Sequence, residues 1–325
     1  MIALEDLNAL PPGDFVAALG GVFEHSAWVA LRVEAVRPFG SRLQLLDAMR
    51  AAVHAAPLAE QLALIRAHPK LGARGRSRSD LTSASAGEQR RAGLDACTDE
   101  EFLLLQRLND DYSEKFSFPF ILAVRGHTPA SIIANIGDRL GNDVAHERRT
   151  ALREIGLIAE YRLADAVATP AGAEIVAMRE RLVRCHVAPT DVGSARVALV
   201  REWMLAAGIE VSADADGNLL GRLPGRAAGS RPVIAGGRED THAATLHYED
   251  PMGCLLGIAV TQQFKQNGVS APCELRIVGS AAGLAHCAQE VRDQRDLDLA
   301  ARTLANFLLQ QAPTTGATTS VFRHD

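Results

Sequence analysis

A chain of 325 residues, 47% hydrophobic and 22% charged, is ordinary globular material and long enough for two domains. A net charge of −5, only 5% aromatic residues and no basic block argue against a nucleic-acid groove. No apolar run reaches membrane-spanning length, and Met1-Ile2-Ala3-Leu4-Glu5-Asp6 lacks the basic start and long apolar stretch of a signal peptide, so a cytoplasmic protein away from membranes is expected.

The first half reads as helix. Asp14 is placed to cap a helix carrying Phe15, Leu19 and Phe23. Pro57 opens another, with Leu58, Leu62 and Ile65 on one face. Pro69 bars the helical conformation at the residue before it, so His68 is expected in extended chain just past a helix end. There the negative end of the helix dipole favours imidazolium, which suits a proton donor; the plainer reading is a surface cap. Ser85-Ala86-Gly87-Glu88-Gln89 has capping-box spacing. The same helix start offers free N–H groups to an anion, Glu88 an acid able to polarise an imidazole, and Gln89 an amide able to pair with a ureide or lactam.

Thr98-Asp99-Glu100-Glu101 is a second capping box, followed by Phe102, Leu105, Leu108, Tyr112 and Phe116 at steps of three and four. In Lys115–Val124 a bulky apolar run is broken at Pro119; most such runs are core, but the proline frees backbone groups to line a pocket. A last helix is expected from about Asp143 to Leu163, with Arg162 near its end either complementing the dipole or gripping a carboxylate or ureide oxygen. With no alternating strand among these signals, residues 1–166 are expected to be all-α.

Ala166–Ala173 is small-residue, Pro/Gly-containing chain, and 167–173 reads as a linker. Beyond it the pattern changes to α/β over 174–312. A helix over Ala195–Ala207 ends at Gly208, followed by strands over Ile209–Ala213, Leu219–Leu223 and Pro232–Gly237, a helix over Met252–Lys265 and a strand over Glu274–Val278. Residues 313–325 read as a disordered tail. Five cysteines, scattered and never in Cys-x-x-Cys spacing, suggest free thiols in a reducing compartment.

His68-Pro69, the Ser85/Glu88/Gln89 cluster with Ala92-Gly93-Leu94, the Lys115–Ile121 run and Arg162-Leu163 together resemble the 2-oxo-4-hydroxy-4-carboxy-5-ureidoimidazoline (OHCU) decarboxylase family. Phe23-Glu24-His25-Ser26-Ala27-Trp28 and Arg37-Pro38-Phe39 add to the resemblance, which covers about residues 1–166. One departure is Ser117, where glycine is common before Phe-Pro-Phe. The resemblance implies an all-α, cofactor-free, usually dimeric enzyme that takes OHCU to (S)-allantoin, the last step from urate. It further implies that His68 donates a proton with Glu88 assisting it. Ser85, Ala86, Gly87, Gln89 and Arg162 would position the substrate, with backbone at Pro69 and Phe120, Ile121, Leu122, Ala123 and Val124 completing the pocket.

From about Pro170 the chain resembles the N-terminal part of metal-dependent allantoate amidohydrolases, through Gly208–Val211, Asp216–Gly225 and Gly236–Thr241. That implies a partial three-layer α/β domain of zinc-peptidase type. The family's metal positions are replaced: Arg238 stands for a histidine, Tyr248-Glu249-Asp250 for Tyr-Asp-Gly and Ser280-Ala281-Ala282-Gly283 for paired glutamates, with Asp240 alone kept. His242, His247 and His286 include no pair at ligand spacing. The second half is therefore expected to be a metal-free, non-catalytic remnant. The alternatives are a bifunctional enzyme whose second half is a metal-dependent ureide amidohydrolase, and a helical binding or assembly protein.

Overall fold

The computed structural model describes residues 1–72, 82–94, 97–183, 192–215, 218–225, 233–236, 245–246, 252–271, 274–279 and 294–310. The elements run β1 (Ile2–Ala3), α1 (Leu4–Ala9), α2 (Pro12–Leu19), α3 (Trp28–Val33), α4 (Arg42–His54), α5 (Leu58–Arg66), α6 (Ser83–Arg91), α7 (Asp99–Phe116), α8 (Pro129–Arg139) and α9 (Val144–Ala166). There follow β2 (Val167–Ala168), α10 (Ala171–Val183), α11 (Val192–Ala207), β3 (Glu210–Ala213), β4 (Leu219–Leu223), β5 (Val233–Gly236), β6 (Thr245–Leu246), α12 (Met252–Gln266), β7 (Leu275–Gly279) and α13 (Gln294–Gln310). Two compact units emerge: a helical unit of Glu5–Pro38 with Leu45–Leu163, and a sheet unit of Ala164–Asp325 with Met1–Leu4 and Phe39–Gln44.

In the helical unit the local chemistry explains the elements. Thr98 caps α7 with both halves of the box made: Glu101 N–H donates to Thr98 Oγ1 at 3.2 Å and Thr98 N–H to Glu101 Oε2 at 2.9 Å. Leu105, Asn109, Tyr112 and Phe116 then bury one stripe. Tyr112 meets the rings of Phe116, Phe118 and Phe120 at centroid distances of 4.6, 6.1 and 5.2 Å, so the apolar run around Pro119 does build core. Ser117 ends α7 at φ +60°, a left-handed conformation that glycine adopts without strain, which gives the serine-for-glycine departure its physical meaning. Two expectations shift. Asp14 lies inside the first turn of α2, which starts after Pro11, and the buried face of α5 is Gln61, Leu64 and Ile65, with Leu58 exposed. Gln61 is buried because its amide donates to Val53, His54 and Ala56 carbonyls, closing the end of α4.

In the sheet unit, 167–173 is not open linker. Val167–Ala168 pairs in parallel with Ile2–Ala3, α10 starts at Ala171, and Val167, Thr169, Ala171 and Ala173 are buried. Small residues here permit close packing, and composition alone does not separate that use from flexibility. Glu174 fastens the segment, accepting from Arg42 N–H at 2.9 Å, Arg42 Nη2 at 3.2 Å and Thr169 Oγ1 at 2.8 Å.

The five-stranded sheet has order β3-β4-β7-β5-β6, antiparallel across β3-β4-β7 and parallel across β7-β5-β6. The expected strands and the helices α11 and α12 fall where the pattern put them; α10, β6 and α13 are additions. Gly257 brings α12 close to the sheet: a Cβ there would lie 2.9 Å from Ile277 Cγ1 and 3.2 Å from Ala235 Cβ. Arg238, Asp240, Tyr248, Glu249, Asp250, Ser280–Gly283, His242, His247, His286 and the 313–325 tail lie outside the described residues.

Candidate active site

The site lies wholly within the helical unit. α5 ends at Arg66, and His68 follows as a buried bend, 7% exposed. Its Nδ1 lies 3.0 Å from the carbonyl of Leu64, one of the last carbonyls of α5. A carbonyl only accepts, so Nδ1 carries the proton and Nε2 the lone pair. Nε2 is buried and meets no hydrogen-bond partner among the described residues. Burial pushes the imidazole pKa down to about 4, against the Leu64 bond and the Glu24 charge, which raise it; Arg162 and His25 lower it further. The expected imidazolium is therefore corrected to a neutral ring. A helix dipole contributes up to about 2 kcal/mol, and a shift from 6.5 to about 4 corresponds to about 3–4 kcal/mol, so desolvation wins.

Thr82, not Ser85, is the N-cap of α6, accepting from Ser85 N–H. The cap at Thr82 frees the Ser85 hydroxyl, which lies inside the first turn, to face other side chains. It donates to Glu24 Oε2 at 3.2 Å and accepts from Arg162 Nη2 at 3.1 Å. Glu88 sits one turn further on and gives both oxygens to Arg162, at 3.0 Å from Nε and 3.2 Å from Nη2. The expected Glu88–His68 pair is thus replaced by a bidentate Glu88–Arg162 pair. Arg162 Nη1 donates to Glu24 Oε2 at 2.6 Å and to the Gly21 carbonyl at 3.3 Å, so all five guanidinium N–H groups are engaged. Burial opposes the Arg162 charge, but Glu88 and Glu24 outweigh it and raise its pKa; burial likewise opposes the Glu24 carboxylate, and Arg162 and Thr82 outweigh it and lower its pKa.

Gln89 Oε1 accepts from Gly72 N–H at 3.0 Å, which ties α6 to the turn after His68-Pro69 and adds a bracing role to the one expected. Gly72 takes φ +73° there, with Leu105 packed where a Cβ would point. The Phe120–Val124 segment is held from two sides: Arg139 Nη1 donates to the Ile121 carbonyl at 2.8 Å, and Ala123 N–H donates to Glu154 Oε2 at 3.1 Å. Arg139 is itself fixed by Glu147, which Tyr112 and Asn142 also bond.

These groups border a cleft of about 350 Å³ that includes space open to solvent. His68, Pro69, Ser85, Glu88, Gln89, Phe120, Ile121, Leu122, Val124 and Arg162 line it, as do Leu71 and Ile158, which sequence reasoning missed. Ala86, Gly87 and Ala123 do not line it, and the Ala123 amide is spent on Glu154. Among the described residues no group of three or more His, Cys, Asp or Glu is arranged to hold a metal ion. The cleft offers one neutral acceptor, one guanidinium and an exposed edge of carboxylate against apolar walls. Such a set suits an anionic, hydrogen-bonding small molecule that exchanges a proton.

A family model described as OHCU decarboxylase matches residues 8–164. The 2-oxo-4-hydroxy-4-carboxy-5-ureidoimidazoline decarboxylase of Haloferax volcanii is 43% identical over 164 residues, 50% of this chain and 95% of that protein. The uric acid degradation bifunctional protein of a Bacillus species is 42% identical over 163 residues, 50% of this chain and 32% of that one. For the C-terminal part, a hydantoinase/carbamoylase family amidase from Burkholderia ambifaria, known as a crystal structure, shares 29% identity over 33% of this chain and 29% of its own, with a TM-score of 0.27.

Proposed function

The chain belongs to the OHCU decarboxylase family, and from that premise we propose that it converts OHCU to (S)-allantoin in urate degradation, with His68 moving the proton. The observation that carries this reading is Nε2 of His68, a buried lone pair without a partner at a cleft that also holds Arg162. In OHCU a hydroxyl and a carboxylate share one carbon. Neutral Nε2 takes up a proton, from the substrate's hydroxyl in the first instance. The carbon–carboxylate bond then breaks, carbon dioxide leaves, and the electron pair delocalises into the adjacent ring. The imidazolium returns its proton to one face of the ring, which fixes the enantiomer. Solvent restores the balance, because loss of carbon dioxide from a carboxylate consumes one proton. With the ring able to hold the electron pair, this reading assigns no cofactor.

Glu88 assists by exchange. The substrate's carboxylate competes for the Nε/Nη2 edge of Arg162, and Glu88, released from it, is free to meet the imidazolium. Ser85 and Gln89 hold the α6 side of the cleft, and the backbone of Pro69 and Phe120–Val124 contributes to the rest. Ala86 N–H is taken by the Thr82 carbonyl, so Ala86 and Gly87 serve the cleft by carrying Ser85 and Glu88 on α6. We read the sheet unit as a partial three-layer α/β domain without catalysis of its own, the whole chain as a cytoplasmic homodimer, and the buried Cys97 and Cys254, neither in a disulfide, as fitting a reducing compartment. The test is decarboxylation of freshly generated OHCU, followed by circular dichroism. Formation of one allantoin enantiomer faster than spontaneous decay is expected, and decay at the spontaneous rate would refute the assignment. Ammonia release from allantoate with added zinc or manganese would restore the bifunctional alternative.

A further inference from the structure

We propose that Glu24 is a positioning residue for this decarboxylation: a permanently buried carboxylate that anchors Arg162 and Ser85 and supplies a fixed negative charge within electrostatic reach of His68. The inference rests on the proposed reaction and goes beyond it, since Glu24 does not line the cleft. Its side chain is 1% exposed, against 20% for Glu88. A buried carboxylate is costly unless its oxygens are met. Here both are: Oε1 accepts from Thr82 Oγ1 at 2.7 Å, and Oε2 from Arg162 Nη1 at 2.6 Å and Ser85 Oγ at 3.2 Å. Thr82 is the N-cap of α6 and Arg162 belongs to α9, so one side chain ties together the two helices that carry the polar wall.

The two carboxylates on Arg162 therefore have different work. Glu88 holds the Nε/Nη2 edge that a substrate carboxylate would take, and Glu24 holds Nη1 throughout turnover. The charged groups that bear on His68 are Glu24, which favours its imidazolium, and Arg162 and His25, which oppose it. Of these, Glu24 alone offsets the burial that works against a protonated ring, and it does so without occupying the space a substrate needs.

Glu24→Gln retains the shape and an acceptor oxygen and removes the charge. Expected are a fall in kcat of roughly 10²-fold, a much smaller change in KM, and a downward move of the His68 titration in the ligand-free protein, read by NMR. Glu24→Asp keeps the charge but shortens the reach; its kcat should fall between wild type and Glu24→Gln, with the His68 titration near wild type. An unmoved titration in Glu24→Gln, or a wild-type kcat, would overturn the proposal. A merely structural role would lower thermal stability in both variants and leave the titration in place, and that too overturns it. Should Glu24→Gln fail to fold, Glu24→Asp decides: a kcat below wild type at little-changed KM supports positioning, and a wild-type kcat refutes it. If the wild-type protein does not accelerate OHCU decay, the reaction assignment fails, while the ligand-free titration still judges the charge of Glu24.

Discussion

Arg162 in the helical unit and Arg42 in the sheet unit are both buried arginines paired with buried glutamates, yet of the two Arg162 alone lines the described cleft. Arg42 Nη2 and its own N–H meet Glu174, Nη1 reaches the Val167 carbonyl at 3.3 Å, and Thr169 completes the glutamate. Its surroundings hold chain together. Arg162 is equally well bonded, but its second glutamate is part-exposed, it lines a cleft, and the unpartnered Nε2 of His68 lines the same cleft. A buried ion pair is thus poor evidence of function by itself. An unmet acceptor that lines a cleft beside a part-exposed carboxylate is better evidence, since buried acceptors such as Asn109 Oδ1 and Gln262 Oε1 are also unmet but do not line that cleft.

The largest expected effect tests the side of the comparison that holds the cleft. His68→Ala should keep the fold and lower turnover by about two to four orders of magnitude, because positioning without a proton carrier is not enough. Circular dichroism of the product checks it: stereospecific allantoin formation at the wild-type rate would mean that His68 does not move the proton.

Glu174→Ala tests the other side. It strands the Arg42 guanidinium, 5% exposed, and the Thr169 hydroxyl, and breaking such a pair costs about 3–5 kcal/mol. Denaturant unfolding should show that loss, with kcat unchanged wherever the protein remains folded. A large drop in kcat at full folding would erase the distinction between a structural and a functional arginine.

Sequence reasoning reached far into this molecule, and its failures share a physical origin. The capping box at Thr98, the helix after Pro57 and the strands at Leu219–Leu223 and Leu275–Gly279 depend on neighbours along the chain, so local pattern suffices. His68, Ser85, Glu88 and Arg162 were legible as one set through their motifs. Which carboxylate meets which cation was not, because spacing along α6 fixes a face and not a partner. The charge of His68 depends on burial, which neither the dipole argument nor the proline reveals. Glu24 had a weak signal, an acid amid Val22, Phe23 and the later aromatic Trp28, and polar residues in apolar surroundings warrant that suspicion. At 167–173 an alanine- and proline-rich composition describes a linker and a tightly packed helix start equally well.

The smallest effect concerns pH, and it sharpens the contrast because it belongs to the cleft's histidine. His68 titrates at about 4 when folded and at the ordinary 6.5 when unfolded. Above 6.5 both states hold it neutral and it gives stability no pH dependence. Between 6.5 and about 4 the unfolded chain binds a proton that the folded one refuses, so stability falls as pH falls through that window. The full loss is about 3–4 kcal/mol, at about 1.4 kcal/mol for each pH unit between 6.5 and about 4. A His68→Gln variant should lack this component, so the two proteins' unfolding free energies should approach one another on acidification. Curves that diverge on acidification, with the wild type gaining on the variant, would show that His68 is already protonated in the folded protein near neutrality. The neutral Nε2, and with it the base that starts the proposed reaction, would then have to be abandoned.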